Sequence, residues 1–348
     1  MIVLNGGTTL WGQRGAQRVV ERTIVVDGGV ISDAETAGSA SATQVDCRGL
    51  TILPGIVDVH GDAFERELFP RPGVDMATPI ALQSVDRQLA SNGITTAYHG
   101  LTVSWEPGQR SHAAGQRFMA ALAEQRQHLT ADHRVQIRWE TFALEAVDTV
   151  ADWLIQTPRP ALAFNDHTTS TLRKIAEGRH EKLEQWATRA GLTTDAYLDA
   201  CQARMNAADT VPAAIDRLAE TARAIGVVML SHDDRTLDER ALYRARGATV
   251  CEFPLSETVA ADAKARSEPI VLGGPNVLRG GSHTGALSAT DAIRRGECSV
   301  LASDYYYPSL FHAAVQLART GVRDLADAWR LVSTHAADAM ALTDRGAL

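Results

Sequence analysis

Cysteine is scarce in this chain. Cys47, Cys201, Cys251 and Cys298 are scattered over 348 residues, and no two lie close enough for a zinc knuckle or a redox pair. Their isolation predicts buried free thiols in a reducing compartment. A basic excess is missing too. The formal net charge of −8 argues against nucleic-acid and membrane-surface binding, since both need a positive footprint. Inside a cleft, metal ions and a few arginines can still reverse that field and admit a phosphorylated small molecule. No apolar run approaches the length that spans a bilayer. The opening MIVLNGGTTLWGQRG lacks the basic-then-apolar order of a secretory signal. These absences predict a cytoplasmic protein with a small-molecule partner and leave homo-oligomerisation open. What remains is an ordinary globular composition, 45% hydrophobic and 22% charged, enough for one large core and a small second unit.

Residues 1–53 read as a small N-terminal β domain, expected to be a β-sandwich: IVLN at 2–5, TIVV at 23–26 and LTIL at 50–53, with Gly-Gly and Asp-Gly-Gly turn signals before the third run. After Pro54-Gly55 the pattern changes to short apolar strands alternating with helical stretches. Eight such strands are expected: IVDVH (56–60), ITTAYH (94–99), VQIRWE (135–140), ALAFND (161–166), VVMLSH (227–232), ATVCEF (248–253), PIVLGG (269–274) and SVLASD (299–304). This is α/β patterning, and it predicts a (β/α)8 TIM-like barrel over 54–348 with a helical insertion at 168–226. An excursion of that length after a barrel strand commonly caps the active-site mouth.

Catalytic groups in such a barrel sit at the C-terminal ends of strands. Five of the eight expected strands carry a metal-ligand residue type there: His60 with Asp62, Glu140, His167, His232 and Asp304. Singly, a histidine ending a strand is more often structural, and an aspartate there more often caps the next helix. Together they form an imidazole–carboxylate set suited to one or two divalent ions, with Zn2+ favoured and Mn2+ or Fe2+ also compatible. Glu140 could bridge two ions. Asp304 would serve as both ligand and catalytic general base.

PGIVDVHGD at 54–62 resembles the first-strand motif of the amidohydrolase superfamily, whose members mostly carry His-x-His where this chain has His-x-Asp. With FERELFPRPGVDM (64–76), FNDH (164–167), SHDD (231–234), EFP (252–254), GGPNVLRGGSHTGALSA (273–289) and ASDYYYPSL (302–310), the chain is similar to the α-D-ribose 1-methylphosphonate 5-triphosphate diphosphatase family of phosphonate metabolism. The resemblance covers residue 50 to the end. It implies a metal-dependent diphosphatase that cleaves the α–β phosphoanhydride of that triphosphate or a close analogue. It also implies metal roles for His60, Asp62, Glu140, His167, His232 and Asp304. By strand count, Glu140, His167 and His232 fall on strands three, four and five, one earlier than the superfamily usually places its ligands.

The chain departs from the family at three points. Gly61 and Ala63 flank Asp62 in place of Thr and Asn, Thr-Thr-Ser-Thr-Leu-Arg follows His167 in place of Ser-Pro-Gly-Gln-Arg-Gln, and the second strand ends in AYHG rather than an acidic residue. The chain stops at DRGAL. There the superfamily usually continues into strands that complete the small β unit, so that unit is expected to be incomplete here.

For phosphate contacts the candidates are Arg279 and His283, because glycines in NVLRGGSHTG let main-chain N–H groups approach an anion and a guanidinium pairs with phosphate. Arg71, in a Pro-Arg-Pro-Gly turn, is a weaker candidate, and Lys174 and Arg179 are weaker still. His112, His128, His133 and His180 read as surface, and His312 and His335 as structural. His99 ends the second strand and could face the site, and Tyr305–Tyr307 could line it. Two other functions fit the same residues. One is C–N hydrolysis by a cyclic amidase, deaminase or deacetylase, in which Arg279 and His283 would point away from the metals. The other is a non-catalytic ligand-binding barrel.

Overall fold

All eight predicted strand runs form strands, and these lie parallel in chain order in one sheet. They are β1 (Ile56–Gly61), β2 (Ile94–Val103), β3 (Asp132–Glu140), β4 (Ala161–Asn165), β5 (Met229–His232), β6 (Val250–Glu252), β7 (Ile270–Gly273) and β8 (Val300–Ala302). The computed structural model describes residues 1–32, 42–71, 73–282, 285 and 287–348. Helices between the strands clothe the outside, so the architecture is the α/β TIM-like barrel that the patterning predicts.

Side-chain alternation sorts the barrel into two environments. Along β3, Val135, Ile137 and Trp139 pack outward with the helices, while Gln136, Arg138 and Glu140 take the other parity and are also buried. The base of the interior is apolar. Ala161, Ala163, Leu230, Val250, Val271 and Val300 form one cluster with Ala336, Ala337 and Met340, so the helix Thr334–Ala339 plugs the bottom. The inward positions one step higher are polar and define the mouth.

Closure occurs between β1 and the end of β8. The Asp304 N–H donates to the His60 carbonyl at 2.9 Å, and the Asp62 N–H donates to the Asp304 carbonyl at 2.8 Å. Below this seam the buried Asp58 carboxylate accepts from the Ser303 N–H at 2.9 Å and from its hydroxyl at 2.5 Å. Gly61 leaves room for this packing. A Cβ would meet Asp58 Oδ2 and Ser303 Oγ at 2.8 Å each.

The N-terminal residues form two small sheets. One orders Val30–Ser32, Ile24–Asp27, Ile2–Asn5 and Thr43–Asp46; the other orders Arg18–Glu21, Thr8–Trp11 and Thr51–Ile52. Among the described residues no strand follows Ala302. The C-terminal segment instead returns to the barrel base, where Arg345 donates to Asp132 at 2.6 Å and to Thr96 at 2.8 Å. The four cysteines are free and buried. Among the described residues no helix is long and apolar enough to cross a membrane.

Candidate metal centre

The two ends of the seam meet at the barrel mouth. His60, Asp62 and Asp304 each offer a ligand atom, all within 4.8 Å of one another. A second triad with the same spacing joins His167, which opens the helix after β4, to His232 at the tip of β5 and to Asp233. Asp233 and Asp304 sit in the left-handed region, at φ 63° and 55°, as does Phe253 at 50°. All three directly follow or closely trail a strand end. Such backbone costs about 1 kcal/mol or more apiece and persists only where the surroundings enforce it, which is common at functional sites.

Glu252, at the end of β6, organises both triads from below. One oxygen faces His60 Nδ1 at 3.0 Å and accepts from Gln136 Nε2 at 2.6 Å; the other faces His232 Nδ1 at 2.7 Å. A carboxylate only accepts, so each ring carries its proton on Nδ1 and turns the Nε2 lone pair into the mouth. Burial opposes ionisation of Glu252, yet the two histidines hold its carboxyl well below the usual range. This carboxylate–histidine pairing is the arrangement that orients metal ligands. Imidazole nitrogens and carboxylates at this spacing fit a divalent ion.

The remaining expected ligands are placed as follows. Glu140 lies at the tip of β3 but turns both oxygens to His167, accepting from its ring Nδ1 and, at 3.0 Å, from its main-chain N–H. It stands outside both triads and orients His167. Burial would raise its carboxyl, but His167 outweighs that and holds it at about 2. Burial, then the neighbouring Asp62 charge, pushes Asp304 up to about 6.

Three residues at the mouth are additional to the sequence-derived set: Glu252, Asp233 and Arg138. Arg138 is buried, with its Nη2 3.2 Å from His232 Nε2 and its Nη1 3.8 Å from Asp62. The signals were present in the sequence. Glu252 ends a barrel strand as the other ligands do, and VQIRWE alternates strictly, which puts Gln136, Arg138 and Glu140 on one face.

Arg279 ends the short helix Gly274–Arg279 after β7 and reaches the Tyr305 hydroxyl at 3.3 Å, beside Asp304. Asn276 fixes the returning loop through Leu287 O and the Ala289 N–H, at 2.7 and 2.9 Å. His283 lies outside the described residues. Arg71 is exposed on the loop after β1. Lys174 is held over the Trp186 ring at 5.2 Å, and burial lowers its ammonium below the usual range against the pull of Asp233. In the 64–76 motif Phe64 enters the core, Glu65 pairs with Arg110 at 2.8 Å and Glu67 accepts from Ser84 and Gln88.

His99 and His133 depart from expectation. The inward position on β2 is Gly100, whose added Cβ would touch Arg138 and His60, so His99 points outward against Phe64 and Phe118. His133 is fully buried rather than on the surface. It bridges His99 at 2.9 Å and Asp86 at 3.0 Å. Burial first, then like charge from His133 and Arg126, drives His99 well below its usual value; burial also lowers His133 against the pull of Asp86. Both are therefore neutral in the fold. Below about pH 6.5 only the unfolded chain takes up their protons, so stability present above that pH is lost as the pH falls. Urea unfolding is expected to shift to lower midpoints from pH 7.5 down to 5. His99→Phe should remove up to one proton from that slope, about 1.4 kcal/mol per pH unit. An unchanged slope would contradict this account.

Barrel, seam and donor triads together define a metal-dependent hydrolase built like the amidohydrolases. Over 95% of its length the chain is 27% identical to α-D-ribose 1-methylphosphonate 5-triphosphate diphosphatase of Escherichia coli strain K12, spanning 88% of that protein. Among solved structures it is similar to an amidohydrolase from a Sargasso Sea environmental sample, with TM-score 0.62 and 16% identity over 100% of this chain and 82% of that one. It is also similar to E. coli guanine deaminase, with TM-score 0.60 and 14% identity over 98% of this chain and 84% of that one. These two likenesses concern the fold. No family model matches the chain.

Proposed function

We propose that the chain hydrolyses the α–β phosphoanhydride of α-D-ribose 1-methylphosphonate 5-triphosphate or a close analogue and releases diphosphate. The observation that carries this reading is the Asp62–Asp304 pair. An aspartate stands where most amidohydrolases have the second histidine, in a chain similar to the E. coli diphosphatase along nearly its whole length. His60, Asp62 and Asp304 would hold a divalent ion, with His167, His232 and Asp233 facing them. The ion would supply the Lewis acidity that makes water an effective nucleophile at neutral pH.

The chain's own groups account for the rest. Asp304 lies beside the site of attack and takes the proton that water gives up as its oxygen joins phosphorus and the anhydride bond breaks. Glu252 keeps the His60 and His232 lone pairs directed into the mouth. Arg279, tethered to Tyr305 next to Asp304, would pair with phosphate oxygens outside the reacting centre. The substrate is thus a small phosphorylated molecule.

The test is diphosphate release from α-D-ribose 1-methylphosphonate 5-triphosphate by the metal-loaded protein against a chelated control. No release, together with turnover of an amide or cyclic amide, would replace this reading with C–N hydrolysis. Arg279→Ala is expected to raise KM for the triphosphate about 10- to 100-fold, the value of one charge-assisted hydrogen bond, with a smaller change in kcat. An unchanged KM would remove Arg279 from the substrate site.

A further inference from the structure

A buried guanidinium stands between the two donor triads. Arg138 reaches His232 Nε2 of one triad at 3.2 Å and Asp62 of the other at 3.8 Å. Its side chain is only 6% exposed. Arginine does not give up its proton in proteins, so this is a permanent cation. The guanidinium thus contacts a donor atom of each triad at once.

The contact with His232 decides what the second triad can do. Glu252 fixes the His232 proton on Nδ1. The Nε2 lone pair is then the ring's only acceptor, and Arg138 takes it. One lone pair cannot serve both an N–H donor and a metal ion. The first triad is not limited in this way: Glu252 likewise frees His60 Nε2, and Asp62 meets Arg138 only at ion-pair distance. The barrel is also shaped around this side chain. A Cβ on Gly100 would lie 3.2 Å from Arg138 Cδ and 3.4 Å from the His60 ring.

We propose that Arg138 is the second cation of the centre: it occupies the position between Asp62 and His232, and the chain holds a single divalent ion on His60, Asp62 and Asp304. This rests on the reading of the mouth as a metal site. It deepens that reading by giving the number of ions and the residue that sets it.

Metal content measured after equilibrium dialysis of the whole protein against Mn2+ is expected to be one equivalent per chain, with the six-line resonance of an isolated Mn2+ ion. Arg138→Gln should bind two equivalents and show the broadened signal of a spin-coupled pair. Arg138→Lys, which keeps a cation, should stay at one. Arg138→Met is the second neutral variant should the Gln protein fail to fold. Two equivalents in the unmodified protein would overturn the proposal and leave the metal reading standing. One equivalent in a folded neutral variant would overturn it as well. No bound metal in the unmodified protein would sink both.

Discussion

Asp304→Asn is expected to lower kcat for diphosphate release about 10²–10⁴-fold, the range for loss of a positioned general base, and to weaken metal binding in the same protein. Asparagine is the informative replacement because Asp304 sits at φ 55°. Asn tolerates the left-handed region that alanine resists. The seam bonds at this residue come from main-chain groups, so the barrel should still close. The substitution therefore removes a negative charge and a proton acceptor while leaving the backbone in place. Steady-state kinetics, metal affinity and thermal melting on one preparation separate these effects. A kcat within about threefold of the unmodified enzyme, with the metal bound, would exclude Asp304 as the base.

Glu252→Gln should cost about 10- to 100-fold in metal affinity although Glu252 stands behind the histidines. The carboxylate accepts from Gln136, His60 and His232, using both oxygens. An amide has only one accepting end. If its oxygen stays with Gln136 and His60, its NH2 faces His232 Nδ1, and that ring must move its proton to Nε2. Nε2 would then be an N–H opposed to the Arg138 N–H groups, and the guanidinium displaced from it would crowd the ion on His60, Asp62 and Asp304. If the amide flips, His60 suffers the same change and Gln136 loses its acceptor. Each arrangement strands a buried donor, at about 1–3 kcal/mol. Chelator competition for Zn2+ and thermal melting test both parts. Unchanged metal affinity would show that the proton positions are fixed by something other than Glu252.

The barrel was legible in the sequence because short apolar strands alternated with helical stretches at regular intervals, and all eight runs became strands. The first triad was legible for a related reason, since a His, Asp or Glu ending an otherwise apolar strand has few places to go but the mouth. Residues whose meaning depends on parity were harder to read. ITTAYHGLTV is buried on both faces for most of its length, so nothing in the pattern says that Gly100 faces inward and His99 outward. VQIRWE does alternate, but an arginine one step below the strand end reads equally well as a partner for a neighbouring carboxylate. The roles of Glu140 and Glu252 could not be assigned from residue type, because a carboxylate that binds an ion and one that holds a histidine differ only in geometry.

The seam has a consequence for folding. His60 lies on the first strand of the barrel and Asp304 just past the last, and their donor atoms meet only once the ring is shut. An ion bound there acts as a clasp, because it binds the closed barrel and has no comparable site on an open one. By mass action it would add about 2.7 kcal/mol of stability at a free concentration one hundred times its dissociation constant. Stripping the metal would thus loosen the join between the first and last strands, and chelation would register in hydrogen exchange at β1 and β8 before it reached the helices outside.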